Sequence, residues 1–153
     1  MPDAPLFLPL SVQRNLSLDD DVPNTMRLER ALSISTADEV VQRLPGGLNA
    51  MLGPWGSRVS AGEAQRLSLA RALYREPSVL LVDESTSLFD VVAEARFVGQ
   101  MRAELANTTV LLVTDRPETL ATADRVLRLE PPRRSQDLGF GQVIEGPWGH
   151  HLR

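Results

Sequence analysis

Two short, unbroken apolar runs in the second half of the chain limit the fold most strongly. The first, SVLLVDE, covers residues 78–84 and ends in two acids, and the second, NTTVLLVTD, covers residues 107–115. Between them lies DVVAEARFVGQMRAELA, a segment of helix length for which Asp90 is a plausible N-cap. Apolar runs without alternation are typical of strands that are buried on both faces. The order strand, helix, strand therefore predicts a parallel sheet that is covered on both faces.

The residues before the first run predict a mostly helical region. An extended segment with three prolines runs to about Leu16, and the helix-like stretches TMRLERALSI and ADEVVQRL follow, the second with Thr36 as its N-cap. A loop rich in Gly and Pro at 45–58 leads to a longer helix, where Ser60 and Glu63 have the spacing of a capping box. That helix has an apolar stripe, which predicts a buried face made of Leu67, Ala70, Leu73 and Tyr74.

The residues after the second run predict a short helix and two more strands. The helix is PETLATAD, the strands are RVLRLE and GQVIEG, and PPRRSQDLGFG between them has the composition of an inserted loop. Four short strands with no partner for the first one predict a sheet with an open edge.

Composition excludes several classes of site. The 153 residues carry a net charge of −4, which does not favour binding to nucleic acid. There is no cysteine, so disulfides and thiolate metal sites are excluded, and no apolar run approaches the ~18 residues of a membrane span. The apolar run APLFLPLSV has no basic residue before it, so a signal peptide is not expected. All 16 basic residues are Arg, and without Lys the chain contains no G-x-x-x-x-G-K-[ST] phosphate loop.

Two places along the chain have residues suited to phosphate chemistry. Asp83 and Glu84 follow the first apolar run, and ligands of open parallel sheets bind beyond the carboxyl ends of the strands. Because neighbouring side chains on a strand point to opposite sides, one acid can hold a metal ion while the other orders a water. At Ser60, the small residues Ala61 and Gly62 let an anion approach the unpaired N–H groups of the helix start. A solvated strand end and an ordinary capped helix are the structural alternatives.

The order and spacing of these motifs resemble the nucleotide-binding domain of export-type ATP-binding cassette (ABC) transporters. VSAGE at 59–63 leads into QRLSLARAL, and VLLVDE, STSLFD and TVLLVTDR follow at the separations typical of that family. LPGGLNAMLG resembles the approach to the family's signature, and GQVIEGPWGHHL resembles its closing strand and turn.

The resemblance implies an α/β fold, the C-terminal part of a P-loop NTPase (RecA-like) core with parallel strands, preceded by a mostly α-helical subdomain. It assigns residues 1–66 to the end of the glutamine loop and the helical signature subdomain, and residues 67–153 to the C-terminal part of the core. The family's phosphate loop and its first strands would precede Met1.

Residues 59–63 correspond to the family's signature, which is usually Leu-Ser-Gly-Gly-Gln. Ser60 and Gly62 match it, while Ala61 and Glu63 depart from it. In this family two domains pack head to tail, and each ATP lies between the phosphate loop of one domain and the signature of the other. The resemblance therefore implies that these residues contact a nucleotide held by a partner, with the charge of Glu63 close to its phosphate.

The resemblance also assigns roles to five acids. Asp83 corresponds to the acid that holds Mg²⁺ through water, and Glu84 corresponds to the general base for the attacking water. Asp90 ends SLFD, which corresponds to the loop that crosses the dimer interface. Asp115 stands where the family usually has a His that donates to the γ-phosphate, and an ionised carboxylate can only accept. Asp3 stands at the position of the loop glutamine.

These correspondences imply an ATP-binding component, with ATP and Mg²⁺ as cofactors, that energises export across a membrane. Its expected partners are a second nucleotide-binding domain and transmembrane domains, and its expected place is the cytoplasmic face of the inner or plasma membrane. Hydrolysis by this chain alone is not expected, because phosphoryl transfer depends on positioning and charge neutralisation and the phosphate-loop lysine is absent. Two alternatives remain open: a degenerate, non-hydrolytic partner, which the acids at 3, 63 and 115 favour, and a truncated remnant.

Overall fold

The computed structural model describes residues 5–18, 20–83, 89, 91–129 and 142–145, with the backbone alone at Trp55 and at 142–145. The chain divides into two compact units, Met1–Val113 and Thr114–Arg153. The described α-helices and strands of the first unit are α1 Val12–Ser17, α2 Thr25–Ile34, α3 Asp38–Arg43, α4 Ala61–Tyr74, β1 Val79–Asp83, α5 Val91–Glu104 and β2 Thr109–Val113, and two short 3-10 helices, Gly47–Asn49 and Pro54–Gly56, lie between α3 and α4. Those of the second unit are α6 Pro117–Leu120, β3 Arg125–Arg128 and β4 Gln142–Glu145.

Helix α1 occupies part of the segment for which an extended conformation was expected up to Leu16. The Oγ of Ser11 accepts a hydrogen bond from the N–H of Arg14 and caps the helix. The side chain of Asn15, one turn further on, is fully buried and bonds back to the residues that precede the cap. The expectation was wrong for this part because a helix of one and a half turns has too few residues to show a helical period.

Thr36 does not cap α3, as the sequence predicted, because it already belongs to the end of α2. Its φ angle is 59°, its N–H donates to the carbonyl of Ser33, and the N–H of Ala37 donates to the carbonyl of Leu32 at 2.9 Å. This pair of bonds is a Schellman motif, which places a residue in the left-handed conformation just after a helix. Ala37 is the N-cap residue of α3 and provides no side-chain hydrogen bond.

The central helix of the first unit is α4, and its predicted apolar stripe is buried. Leu67 and Ala70 have no exposed surface, and Leu73 and Tyr74 are 5% and 2% exposed. Helices α1 and α2 pack against α4, and α5 packs against α2. The aromatic rings of Phe89 and Phe97 add an edge-to-face contact with 6.0 Å between ring centroids.

Strands β1 and β2 pair in parallel, as the sequence predicted. Val79 lies opposite Thr109, and Asp83 lies opposite Val113 at the carboxyl ends of the strands. Leu80 and Val82 join the buried core, whereas Val79 and Leu81 on the other face are each 63% exposed. Within the described ranges the sheet is therefore covered on one face, and the expectation of cover on both faces is not met there.

In the second unit, β3 and β4 pair in antiparallel fashion, with Arg125 opposite Glu145. These strands form their own two-stranded sheet, so they do not extend the parallel pair of the first unit. The predicted inserted loop at 131–141 lies outside the described residues.

Candidate functional site

A capping box fixes the start of α4. The Oγ of Ser60 accepts from the N–H of Glu63 at 3.3 Å, and Oε2 of Glu63 accepts from the N–H of Ser60 at 2.8 Å. This confirms the predicted pairing of the two residues. The N–H groups of Ala61 and Gly62 have no partner in the part of the chain that the structure describes. Ser60 and Ala61 are exposed and Gly62 is half-buried, so these donors open to solvent.

The loop before α4 holds this helix start against the N-terminal segment. Gly56 has a φ angle of 74°, and a Cβ atom at this position would lie 3.0 Å from the ring of Phe7. The N–H of Val59 donates to the carbonyl of Gly56 at 3.1 Å, which closes the turn one residue before Ser60. A residue with a Cβ atom would be strained at this turn, so glycine allows the loop to place Ser60 at the start of α4.

Glu63 is bound on both sides. Its Oε1 accepts from the guanidinium of Arg43 at 2.5 Å, while Oε2 is taken by the N–H of Ser60. The side chain of Glu63 is 19% exposed. Burial alone would raise the pKa of Glu63, but the hydrogen bonds from Ser60 and the charge of Arg43 outweigh it and bring the pKa below its ordinary value. Glu63 is therefore ionised at neutral pH, and its carboxylate accepts the N–H of Ser60 at the start of its own helix.

Arg43 is anchored by a second contact. Its Nε donates to the backbone carbonyl of Glu39 at 3.3 Å, one turn earlier in α3. The role of Arg43 beside Glu63 was not predicted, because the two residues are far apart in sequence and no local pattern links them.

A second ionic cluster joins α3 to α4 and α5. Arg96 of α5 contacts Asp38 at 2.7 Å and Glu39 at 2.6 Å, and Arg66 of α4 lies 3.8 Å from Glu39. The hydrogen bond to Asp38 is the main reason why the pKa of Arg96 is raised. The helix that starts with the capping box is thus tied to α3 at Arg66 as well as at Glu63.

The predicted acidic residues are described only in part. Asp83 is the last residue of β1 and is exposed. Asp115 is also exposed, two residues after the end of β2, and belongs to the second unit. Glu84, Asp90 and Asp3 lie outside the described residues. Across the described ranges, no three His, Cys, Asp or Glu residues come together in a way that could hold a metal ion.

A sequence model of the ABC transporter family matches residues 5–87, which take in α1 to α4, the capping box and β1. The chain belongs to the ABC transporter family. The match covers more than half of the 153 residues, and it includes both of the places that the sequence marked for phosphate chemistry.

Relatives of this ABC-family chain include an ATP-binding/permease protein and a flippase. The chain is 39% identical over 127 residues to the mycobactin import ATP-binding/permease protein IrtB of Mycolicibacterium smegmatis, an alignment that covers 83% of the chain and 22% of that protein. It is 37% identical over 107 residues to the ATP-dependent lipid A-core flippase of Cupriavidus pinatubonensis, covering 70% of the chain and 18% of that protein. The chain thus spans about a fifth of the length of these relatives.

A solved structure of a bacterial Atm1-family ABC exporter with ATP bound is similar to this chain, with a TM-score of 0.74 and 28% sequence identity. The similarity covers 84% of this chain and 22% of the exporter chain. These comparisons confirm two of the expectations that rested on the resemblance: part of an export-type ABC nucleotide-binding domain, and an α/β P-loop NTPase core with a helical subdomain. Of the helices described, none combines the length and the apolar character needed to cross a membrane.

Proposed function

We propose that this chain forms part of an ATP-binding unit that energises transport across a membrane. In this proposal Ser60, Ala61 and Gly62 contact the phosphates of an ATP molecule that a second nucleotide-binding domain holds. The observation that carries the proposal is the set of donors at the start of α4, in a chain of the ABC family.

Three donors at this helix start suit a phosphate. The Oγ of Ser60 uses its acceptor capacity in the capping box, so its hydroxyl proton is available to donate to an anion. The N–H groups of Ala61 and Gly62 add two more donors, and the helix dipole favours negative charge at this end. The small side chains of Ala61 and Gly62 let a phosphate reach the backbone. These groups bind and orient a phosphate but supply no nucleophile.

The acids at the end of β1 would serve a different step. Asp83 would hold Mg²⁺ through water, and its exposed carboxylate at the carboxyl end of a parallel strand suits that role. When bound, Mg²⁺ supplies charge neutralisation for the phosphates. Glu84 would accept a proton from the attacking water as general base. Asp90 would lie in the loop that crosses the dimer interface, and Asp3 would occupy the place of the loop glutamine.

The proposed partners are a head-to-tail nucleotide-binding domain and transmembrane domains, with the chain at the cytoplasmic face of the membrane. A run of exposed apolar side chains supports a protein partner: Leu6, Leu8 and Leu10 are exposed, and Met51 beside them is exposed as well. Residues 1–66 would form the helical signature part and residues 67–153 the core part. The names of the relatives include an import protein and a flippase, so the proposal covers transport and leaves its direction open.

The test uses the native complex, purified through a tag on this chain, and measures crosslinking of a photoreactive ATP analogue against its concentration. Gly62→Val should weaken nucleotide binding about tenfold, the loss of one hydrogen bond to a charged group, because a branched side chain keeps the phosphate from the amides. Gly99→Val is the matched control, since Gly99 lies in α5 with open space around it. Equal nucleotide affinities for the two variants, or no crosslinking at all, would refute the proposal.

A non-hydrolytic partner subunit is a second candidate, and the exposed carboxylate of Asp115 favours it. This side chain cannot donate to a γ-phosphate when ionised. If the site has lost hydrolysis at this position, Asp115→His should raise the ATPase rate of the complex, whereas Asp115→Asn should not reach the same rate. A wild-type complex that already hydrolyses ATP as fast as the Asp115→His variant excludes this candidate.

A further inference from the structure

The start of α4 carries an acid where a phosphate is proposed to bind. Glu63 is the third residue of the helix, and a carboxylate there satisfies the same positive helix end that would attract an anion. Left uncompensated, its charge would repel the phosphate. If the site binds nucleotide, the negative charge that Glu63 has in place of the family's usual glutamine must be neutralised.

The structure provides a cation at that carboxylate. Arg43 reaches Oε1 of Glu63 at 2.5 Å, and the N–H of Ser60 occupies Oε2, so both oxygens are engaged and turned into the cap. Glu63 is 19% exposed, whereas the side chain of Arg43 is 63% exposed. Arg43 is thus the more exposed partner of the pair.

A hydrogen bond within α3 fixes the position of the Arg43 side chain. Its Nε donates to the carbonyl of Glu39, and its Nη2 donates to Oε1 of Glu63. Arg66 of α4 also links the two helices, through Glu39 and the carbonyl of Thr36.

We infer that Arg43 is a positioning residue of the nucleotide site, which neutralises Glu63 and so keeps the α4 start open to phosphate. The inference rests on the proposed function. Arg43 and Glu63 act as one neutral pair in place of the family's uncharged glutamine. A loss of the cation should therefore weaken ATP binding, and a loss of both charges should leave it intact.

The experiment is a double-mutant cycle in the native complex, with nucleotide affinity as the measurement. Arg43→Ala should weaken ATP binding about three- to tenfold, as expected for one uncompensated charge near a multivalent anion in a solvated site. Glu63→Gln keeps an acceptor for the N–H of Ser60, so Glu63→Gln with Arg43→Ala should restore binding to within about twofold of the wild type. Raising the salt concentration should shrink the effect of Arg43→Ala.

Arg27→Ala is the matched control, because it also removes the arginine of an ion pair, with Glu76, beyond the other end of α4. It should leave nucleotide affinity unchanged. Weaker binding in Arg43→Ala without recovery in the double variant would overturn the inference, since Arg43 would then act on the nucleotide directly or through the fold. Unchanged binding in Arg43→Ala would also overturn it. Failure of the proposed function itself is separate, because Gly62→Val would then match Gly99→Val.

Discussion

Replacing Asn15 by Ala probes how the N-terminal segment is held beside the helices. Asn15 is fully buried, and its Oδ1 accepts from the N–H of Leu8 at 2.8 Å. Its Nδ2 lies 3.1 Å from the carbonyls of Leu8 and Leu10 and 3.0 Å from that of Ser11. One side chain thus satisfies several backbone groups of a segment that has no regular structure of its own.

The expected cost follows from those backbone groups. Asn15→Ala leaves the N–H of Leu8 without its acceptor and removes the side-chain bonds to carbonyls that each keep a backbone donor. Each lost bond costs about 1 kcal/mol when water can partly replace it. Leu8 and Leu10 are 43% and 39% exposed, so water reaches this segment and can replace part of each lost hydrogen bond. The free energy of unfolding should fall by about 2–4 kcal/mol. In urea this lowers the midpoint by roughly 1–2 M.

Asn15→Asp sharpens the test because it keeps the acceptor and removes the donors. A buried carboxylate that faces carbonyl oxygens has a raised pKa. Compared with the wild type, this variant should therefore be least destabilised below the ordinary aspartate pKa of ~3.9, and the destabilisation should grow as the pH rises through the raised folded-state value. Urea unfolding at several pH values measures this. Asn49→Ala is the control, since Asn49 is exposed and its side chain has no hydrogen bond among the described residues. Equal midpoints for Asn15→Ala and Asn49→Ala would refute the reasoning.

Three further predictions concern single contacts. Tyr74 is the only tyrosine, and its hydroxyl donates a hydrogen bond to the carboxylate of Asp20. Burial and this hydrogen bond raise the pKa of Tyr74, so the tyrosinate absorbance should appear above pH ~10. The stability that this hydrogen bond gives is present below that pH and is lost as the pH rises through the folded-state pKa. Gly56→Ala should lower the free energy of unfolding, measured by thermal denaturation, by more than about 1 kcal/mol. The reason is that φ at this residue is 74° and the new Cβ would lie 3.0 Å from the ring of Phe7. Arg96→Ala should cost about 1 kcal/mol in urea unfolding at low salt and less at high salt, because its pair with Asp38 is partly exposed.

Each of these predictions has an outcome that contradicts it. An absorbance midpoint at the value of free tyrosine would mean that Tyr74 is not held as described. Gly99→Ala is the control for Gly56→Ala and should not destabilise, since Gly99 lies in a helix with open space around it. If the effect of Arg96→Ala on unfolding does not depend on salt, packing rather than charge accounts for it.

Features that depend on neighbours in sequence could be predicted. The capping box needs only Ser60 and Glu63 at the right spacing, and the buried stripe from Leu67 to Tyr74 needs only the helical period. The parallel pairing of β1 and β2 followed from two apolar runs with a helix between them. The motif order then led from these local features to the ABC family, which the comparisons confirm.

Features that depend on tertiary contacts could not be predicted. The pairing of Arg43 with Glu63 joins different helices, so no spacing rule reveals it. Thr36 has the residue type of an N-cap, yet the preceding helix uses its backbone for a Schellman closure. The exposure of Leu81 depends on which elements cover the sheet, and an apolar run alone does not specify them. The functional roles of all the predicted site residues remain predictions: Ser60, Ala61, Gly62, Glu63, Asp83, Glu84, Asp90, Asp115 and Asp3.

The parallel pairing of β1 and β2 also bears on the order in which the chain folds. Val79 can meet Thr109 only after the whole of α5 has been made and folded back, so the first ladder bond carries the entropy of closing a long loop. The contacts among α1, α2 and α4 precede it along the chain and do not need that crossover. During synthesis the helical part can therefore form first. Strand β1 can then pack against it before β2 has been made. In that interval the apolar residues of β1 are open to contact with other chains, and Leu81 and Leu111 are exposed even after the strands have paired.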